Sequence, residues 1–434
     1  MLDSRHTPTS TGNPDHLVAY DEALMAVLTM KGNPIESLKP TMMDSPDFMM
    51  GHLLPAAILA GASERRFNEM ATYYLSKAKP LLDDAVDREL SLFNALQLLT
   101  NGEWDKAPIA FDRHLSEYPR DVLALHTSHI MDFHQGDALN LRNRVARVIP
   151  TWDADMPGYS YLYGMYAFGL EESNQYELAE QRGRHALELN PVDPWAVHAV
   201  THVMEMQGRA SEGVEFMRTY EAYWAKGCMF AVHVWWHMAL LHLQNGEDNE
   251  TLAILDQSII DPGMEMVQDL MDATAMLWRL RLCGVETGDR DQTAVDLWLQ
   301  KLESGIGFSG FNDFHAAMGF AATGQVDALR QLEIASLAAA EQGIASQQIA
   351  LPLIQAFLAY AKEDYQTTTI LLAENRGTAW RFGGSHAQRD VINLTLLDAA
   401  NRAGERSVVQ QLMNERLMAK ENDALGQRLL ANVG

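Results

Sequence analysis

A repeat period of 34 residues constrains this chain more than any other feature. Gly102 to Gly136 spans 34 residues, Asn174 to Gly208 spans another 34, and Gly208 to Gly246 spans 38. Each of these residues sits between two stretches in which apolar residues recur at three and four, the pattern of amphipathic helices. A helical hairpin of this size cannot bury its apolar face alone, so successive units must stack on one another.

The period is that of a tetratricopeptide repeat. In "LSLFNALQLLTNGEWDKAPIAFDRHLSEYPRD", Ala95, Leu98, Gly102, Trp104, Ala107, Phe111 and Pro119 fill repeat positions 8, 11, 15, 17, 20, 24 and 32. In "YSYLYGMYAFGLEESNQYELAEQRGRHALELNPVD" the matches are Ala167, Leu170, Tyr176, Ala179, Ala186 and Pro191. Strand signals are scarce. The fold expected is all-α, with tetratricopeptide-like helix–turn–helix repeats stacked in a right-handed superhelical solenoid. No Pro/Ser-rich linker divides the chain, so residues 16–434 read as a single continuous domain, with the best repeats over about 88–260 and a flexible N-terminus over 1–15.

Charge bounds the function classes. Lys and Arg number 33 against 58 Asp and Glu, a net charge of −25. Such a field repels phosphates, which predicts no nucleic-acid partner and leaves either plain solubility or a cationic ligand or partner. The two cysteines, Cys228 and Cys283, build no disulfide framework and no cysteine-type zinc site, which suits a reducing cytosol. The polar start "MLDSRHTPTSTGNPDH" lacks the apolar stretch of a secretory signal. No apolar run approaches the roughly 18 residues that span a bilayer. A cytoplasmic protein with no membrane partner is expected; self-association stays open.

The repeat register turns the histidines into geometry. In a tetratricopeptide superhelix the first helix of each unit lines the concave face through positions 2, 5, 6, 9, 12 and 13. With Gly208 at position 15, His198, His202 and Glu205 fall at 5, 9 and 12. With Gly246 at 15, His233 and His237 fall at 2 and 6; His126 takes position 5 and His315 position 6 of their own units. At about 100° per residue, His198, His202 and Glu205 share one helix face, as do His233 and His237. Tyr161 and Phe168 add aromatic wall, and Glu171 and Glu172 add negative charge. His242 lies at a packing position and reads as a core histidine. His129 and Asp132 occupy packing positions, either through a register slip or as a buried polar pair.

A shared histidine-rich pocket admits three chemistries. Neutral imidazoles four apart, with a carboxylate, suit a divalent metal (Zn, Fe or Mn) held by His198, His202, Glu205, His233 and His237. Metal-free acid–base catalysis is the second, with Glu205 or Asp313 tuning a histidine. The third is simple hydrogen bonding to a ligand. "GFNDFHAAMGF" brings Asn312, Asp313 and His315 to a helix start, where Asn312 or Asp313 also serves as a cap. "FGGSHAQRDV" brings Ser385, His386, Gln388, Arg389 and Asp390 to another, where free N–H groups and Arg389 hold an anion, or where an ordinary cap sits beside a surface Arg–Asp pair. "GIGFSG" follows a helical pattern, not a strand, which removes it as a dinucleotide loop. "LRNRVARV", with Arg142, Arg144 and Arg147, reads as a solvated helix face.

Together, "MPGYSYLYGMYAFGLEESNQYELAE", "NPVDPWAVHAVTHVMEMQGR", "HVWWHMALLHLQNGE", "FNDFHAAMGF" and "GGSHAQRDV" resemble the tetratricopeptide repeat protein 38 family over roughly residues 85–420. The resemblance implies a cytosolic helical-repeat protein and delivers no reaction. Its H-x3-H-x2-E, H-x3-H, N-D-x-H and A-Q-R-D motifs fall here on His198, His202, Glu205, His233, His237, Asn312, Asp313, His315, Gln388, Arg389 and Asp390. Two function classes follow. One is an enzyme of hydrolase or oxygenase type, using metal-assisted or histidine acid–base chemistry on a small acidic or polar ligand, with Arg389 as anchor. The other is a non-catalytic scaffold that clamps a peptide or protein partner in its groove. A groove loaded with His, Glu and aromatics, rather than Lys, Arg and Asn, tilts the reading toward small-molecule chemistry.

Overall fold

The residues that mark the 34-residue period are those at which the backbone turns left-handed. The structure, a computed structural model, describes residues 1–302 and 305–432. In it φ is +77° at Gly102, +64° at Gly136, +72° at Gly208 and +59° at Asn174. Glycine, and asparagine next to it, adopt this conformation at least cost, which is why these two types close the turns. They join Asp87–Thr100 to Ala107–Glu117, Val122–His134 to Ala138–Val148, Tyr159–Glu172 to Tyr176–Leu189, and Pro194–Met206 to Ala210–Trp224. Helical hairpins continue through Ala231–Gln244 to Arg406–Ala419, and the described residues contain no β-strand. The fold is all-α and built of tetratricopeptide-like repeats.

Small residues at the repeat positions let helices touch. Ala95, Ala107, Ala167, Ala179 and Ala186 are fully buried, as are the bulky Phe111 and Leu170. At Gly169 a Cβ would lie 2.5 Å from the backbone of Leu141, so the helices Tyr159–Glu172 and Ala138–Val148 meet backbone to backbone there. Burying a phenylalanine such as Phe111 contributes about 2–3 kcal/mol.

The helices gather into two compact units, not the single continuous domain expected. One comprises Met1–Val200 with Ala222–Phe230, the other Thr201–Glu221 with Ala231–Gly434. The division falls inside the helix Pro194–Met206, so it leaves no linker in the composition.

Residues 1–15, expected to be flexible, are tied down. Arg5 Nη1 donates to Asp21 Oδ1 at 2.6 Å, Ser10 N–H donates to Glu89 Oε1 at 3.0 Å, and Arg88 lies 3.7 Å from Asp3. Asp3, Arg5, Thr7 and Thr9 are all buried. The partners of this polar segment are remote in sequence, so locally it has the composition of a loose tail.

The expected solvated face of "LRNRVARV" also fails at one position. Arg144 is 1% exposed and grips Asp132 through Nε at 2.8 Å and Nη2 at 3.0 Å. This pair explains Asp132 at a packing position: the register holds, and the carboxylate is answered by a cation from the second helix of its own hairpin.

Candidate functional site

Pairs of residues three, four and seven apart on three helices assemble a buried polar cluster in the second unit. The end of Pro194–Met206 supplies His202 and Glu205, Ala231–Gln244 supplies His233 and His237, and Val267–Leu282 supplies Asp272 and Arg279. The rings of His202 and His237 are 4.3 Å apart and those of His233 and His237 4.9 Å. One ring nitrogen from each of His202, His233 and His237 lies within 4.8 Å of the others. The three are between 0% and 5% exposed, so these register positions are buried and do not line an open groove as expected.

Carboxylates stand behind two of the rings. His233 Nδ1 is 2.8 Å from Asp272 Oδ2, and His237 Nδ1 is 3.0 Å from Glu205 Oε2. A carboxylate at Nδ1 holds the proton there and makes Nε2 the basic nitrogen, the arrangement found behind metal-bound histidines. Glu205, expected as a ligand, therefore supports His237. Trp236 stacks on His233 with ring centroids 5.5 Å apart and planes 10° from parallel.

A buried array of charge extends from this cluster. Arg279 lies over the Trp236 ring at 5.3 Å and donates to Ala275 O at 3.0 Å and Ala387 O at 2.8 Å. Burial lowers its pKa, opposed by the charges of Asp390 and Glu205. Burial also pushes the Glu205 carboxyl up, against the pull of Lys420, His202 and Arg279. Arg416 holds Asp390 at 2.6 Å and Asp423 at 2.6 Å, while Lys420 Nζ donates to Gln244 at 3.2 Å. Asp272, Arg279 and Lys420 escaped the sequence reading. A signal for two of them existed: Asp272 and Arg279 sit seven apart on one helix face, within a stretch, 270–280, that is otherwise apolar apart from Thr274.

The remaining sequence-predicted residues of this unit have varied places. Ser309, not Asn312 or Asp313, caps Gly310–Ala322. Asp313 accepts from Gly307 N–H at 2.9 Å and Gln347 Nε2 at 2.6 Å, so it locks a loop. His315 is bonded through Nδ1 to Phe311 O at 2.8 Å, and burial, with the charge of Arg279, pushes its pKa down to about 4. Ser385 and Gln388 form a capping box at His386–Arg402. Arg389 donates to Gly384 O and lies 3.3 Å from His386 Nδ1. Asp390 pairs with Arg416 and not with Arg389. His242 is buried and bonds Glu247 at 2.6 Å, away from the cluster.

The first unit gathers the other half of the predicted set. His198 packs against Phe168 at 5.2 Å and Phe230 at 4.9 Å. His126 and His129 stand edge-on to Trp195 at 6.0 Å and 5.9 Å. Burial pushes His126 down to about 4 and His129 to about 3, and raises the Tyr161 phenol to about 12, so all three are neutral at pH 7. Glu171 and Glu172 are buried. Trp195, absent from the predicted set, falls at position 2 of the register that placed His198 and was legible there.

Fold and site define a helical-repeat protein of tetratricopeptide type with a buried histidine–carboxylate cluster. No family model matches the chain. Among solved structures it is similar to a monomeric mutant of IFIT1 with Gppp-AAAA, at 13% identity over 98% of this chain and 95% of that one, with a TM-score of 0.40. It is also similar to the human IFIT1 dimer with m7Gppp-AAAA, at 13% identity over 97% and 96% of the two chains, with a TM-score of 0.36. These are likenesses of fold alone. Those IFIT1 structures contain Gppp-AAAA and m7Gppp-AAAA, and the expectation that net charge alone excludes a nucleic-acid partner is withdrawn. No helix among the described residues is long and apolar enough to cross a membrane.

Proposed function

We propose that the second unit holds a divalent metal on His202, His233 and His237, and that the protein is a metal-dependent enzyme of hydrolase or oxygenase type. The observation that carries this reading is the approach of three buried ring nitrogens within 4.8 Å, two of the rings being backed by carboxylates. Three neutral imidazoles leave a coordination position for water or substrate, and a bound metal lowers the pKa of that water toward neutrality. Zn, Fe and Mn all suit the ligands. Arg279, buried over Trp236, supplies positive charge for a small acidic substrate. Recognition residues of a peptide clamp must be exposed, and the burial of these histidines favours the small-molecule reading over the scaffold.

Within this proposal the chain is a member of the tetratricopeptide repeat protein 38 family, on its ordered motifs, and works in the cytosol, on its two cysteines outside any disulfide. The test is elemental analysis of protein purified without added metal, beside a folded His237→Ala variant. About one equivalent of metal, lost in the variant, supports the reading. Wild-type protein that holds no metal and takes up none of Zn, Fe(II) or Mn on titration ends it.

A further inference from the structure

Ser91, His114 and Asp121, all inside the first repeat stretch quoted above, form a hydrogen-bonded chain in the first unit and belong to none of the histidine motifs. Ser91 Oγ is 2.7 Å from His114 Nδ1, and His114 Nε2 is 3.1 Å from Asp121 Oδ2. Asp121 is fixed twice over: Arg88 Nε donates to Oδ2 at 2.6 Å, and the N–H of Ala124 donates to Oδ1 at 3.2 Å. Burial disfavours the Asp121 charge, but Arg88 and His114 hold the carboxyl well below its usual range, so it is ionised. The ionised carboxylate keeps the proton on Nε2 and leaves Nδ1 as acceptor for the serine hydroxyl, whose other acceptor is Arg88 O at 3.1 Å.

His114 and Asp121 are buried, and Ser91 is half-buried at the edge of a cleft. Ser91 and His114 both line a cleft of about 560 Å³ between the helices Asp87–Thr100 and Ala107–Glu117. Leu98 and Ile109 give it an apolar wall, and Asn94, Lys106 and Arg113 bring donors to it. Asn94 lies three residues beyond Ser91 on the same helix face and lines the same cleft.

We propose that Ser91, His114 and Asp121 are a nucleophile–base–orienter triad, and that the cleft hydrolyses carboxylic esters with a short apolar acyl chain. Ser91 Oγ bonds to the acyl carbon while its proton passes to His114 Nδ1. The carbon–oxygen bond to the alcohol breaks, and the leaving oxygen takes that proton. Water then adds to the acyl-serine, giving its proton to His114, and the acid departs as Ser91 recovers it. No electrons are exchanged. This activity is independent of any metal in the second unit.

The full-length protein is treated with a fluorophosphonate and, separately, with p-nitrophenyl butyrate in the presence of EDTA. The expected result is one phosphonyl adduct mapped by peptide mass to Ser91, and ester turnover that persists in EDTA. Ser91→Ala abolishes the adduct, His114→Gln slows labelling about 100-fold or more, and Ser116→Ala changes neither. Wild-type protein left unlabelled at Ser91 under conditions that saturate a known serine hydrolase overturns the proposal, and this readout needs no variant to fold. Labelling of Ser91 at an equal rate in folded His114→Gln also overturns it.

Discussion

The Nδ1 of His233 lies 2.8 Å from Oδ2 of Asp272, a residue 39 positions further along the chain and on another helix. An isolated histidine chooses its own tautomer; this one has it chosen by a buried carboxylate. If the three-histidine cluster takes a metal, Asp272→Asn leaves every ligand in place but removes the charge that orients one of them. Zinc affinity of metal-free protein should fall about 10–100-fold, measured by competition with a chromophoric chelator. Unchanged affinity would mean that His233 is not a ligand.

Arg279 is 1% exposed, bonded to the carbonyls of Ala275 and Ala387, and interacts with the charges of Glu205, Asp390 and Asp272. Replacing it by methionine keeps the volume but leaves buried carboxylates uncompensated. Arg279→Met should cost about 3–5 kcal/mol in a urea titration. Arg279→Lys should recover part of the loss, since an ammonium restores charge without the planar fork that spans two carbonyls.

Asp193 gives a pH test. Its Oδ1 accepts from the N–H groups of Trp195 at 2.9 Å and Ala196 at 3.3 Å, while burial pushes its pKa up to about 7. A carboxyl raised on folding binds its proton more tightly in the native state, so its contribution is full below about pH 4 and is lost as pH rises through about 7. Over that window the slope is up to about 1.4 kcal/mol per pH unit. Asp193→Asn retains the capping oxygen and removes the titration. The wild-type-minus-variant stability should therefore fall between about pH 4 and pH 7. The buried His126 and His129 titrate in the opposite sense, but equally in both proteins, and cancel in the difference.

Gly384 has φ of +78°, and a Cβ there would lie 2.4 Å from the Phe311 ring. Gly384→Ala should lose about 1–2 kcal/mol to the left-handed backbone and about 1–3 kcal/mol to the clash. A double-mutant cycle with Phe311→Ala separates the two: the smaller ring site relieves the clash and leaves the backbone cost. Full additivity in denaturant unfolding would show that the contact is absent.

The period of glycines and asparagine dictated the helical hairpins, because only residues that tolerate positive φ close such turns, and the alanines at repeat positions dictated which faces touch. The phase of that period also put His202, His233 and His237 on converging faces, since helix geometry converts sequence spacing directly into angle. Tertiary structure alone decided the rest. Glu205 became a support for His237, Asp272 met His233, Arg144 turned inward to Asp132, and the polar first residues were captured by Arg88 and Glu89. Each of these is an ion pair or hydrogen bond between distant segments. Such a bond depends on where a partner's charged tip is buried, and local periodicity carries no record of that.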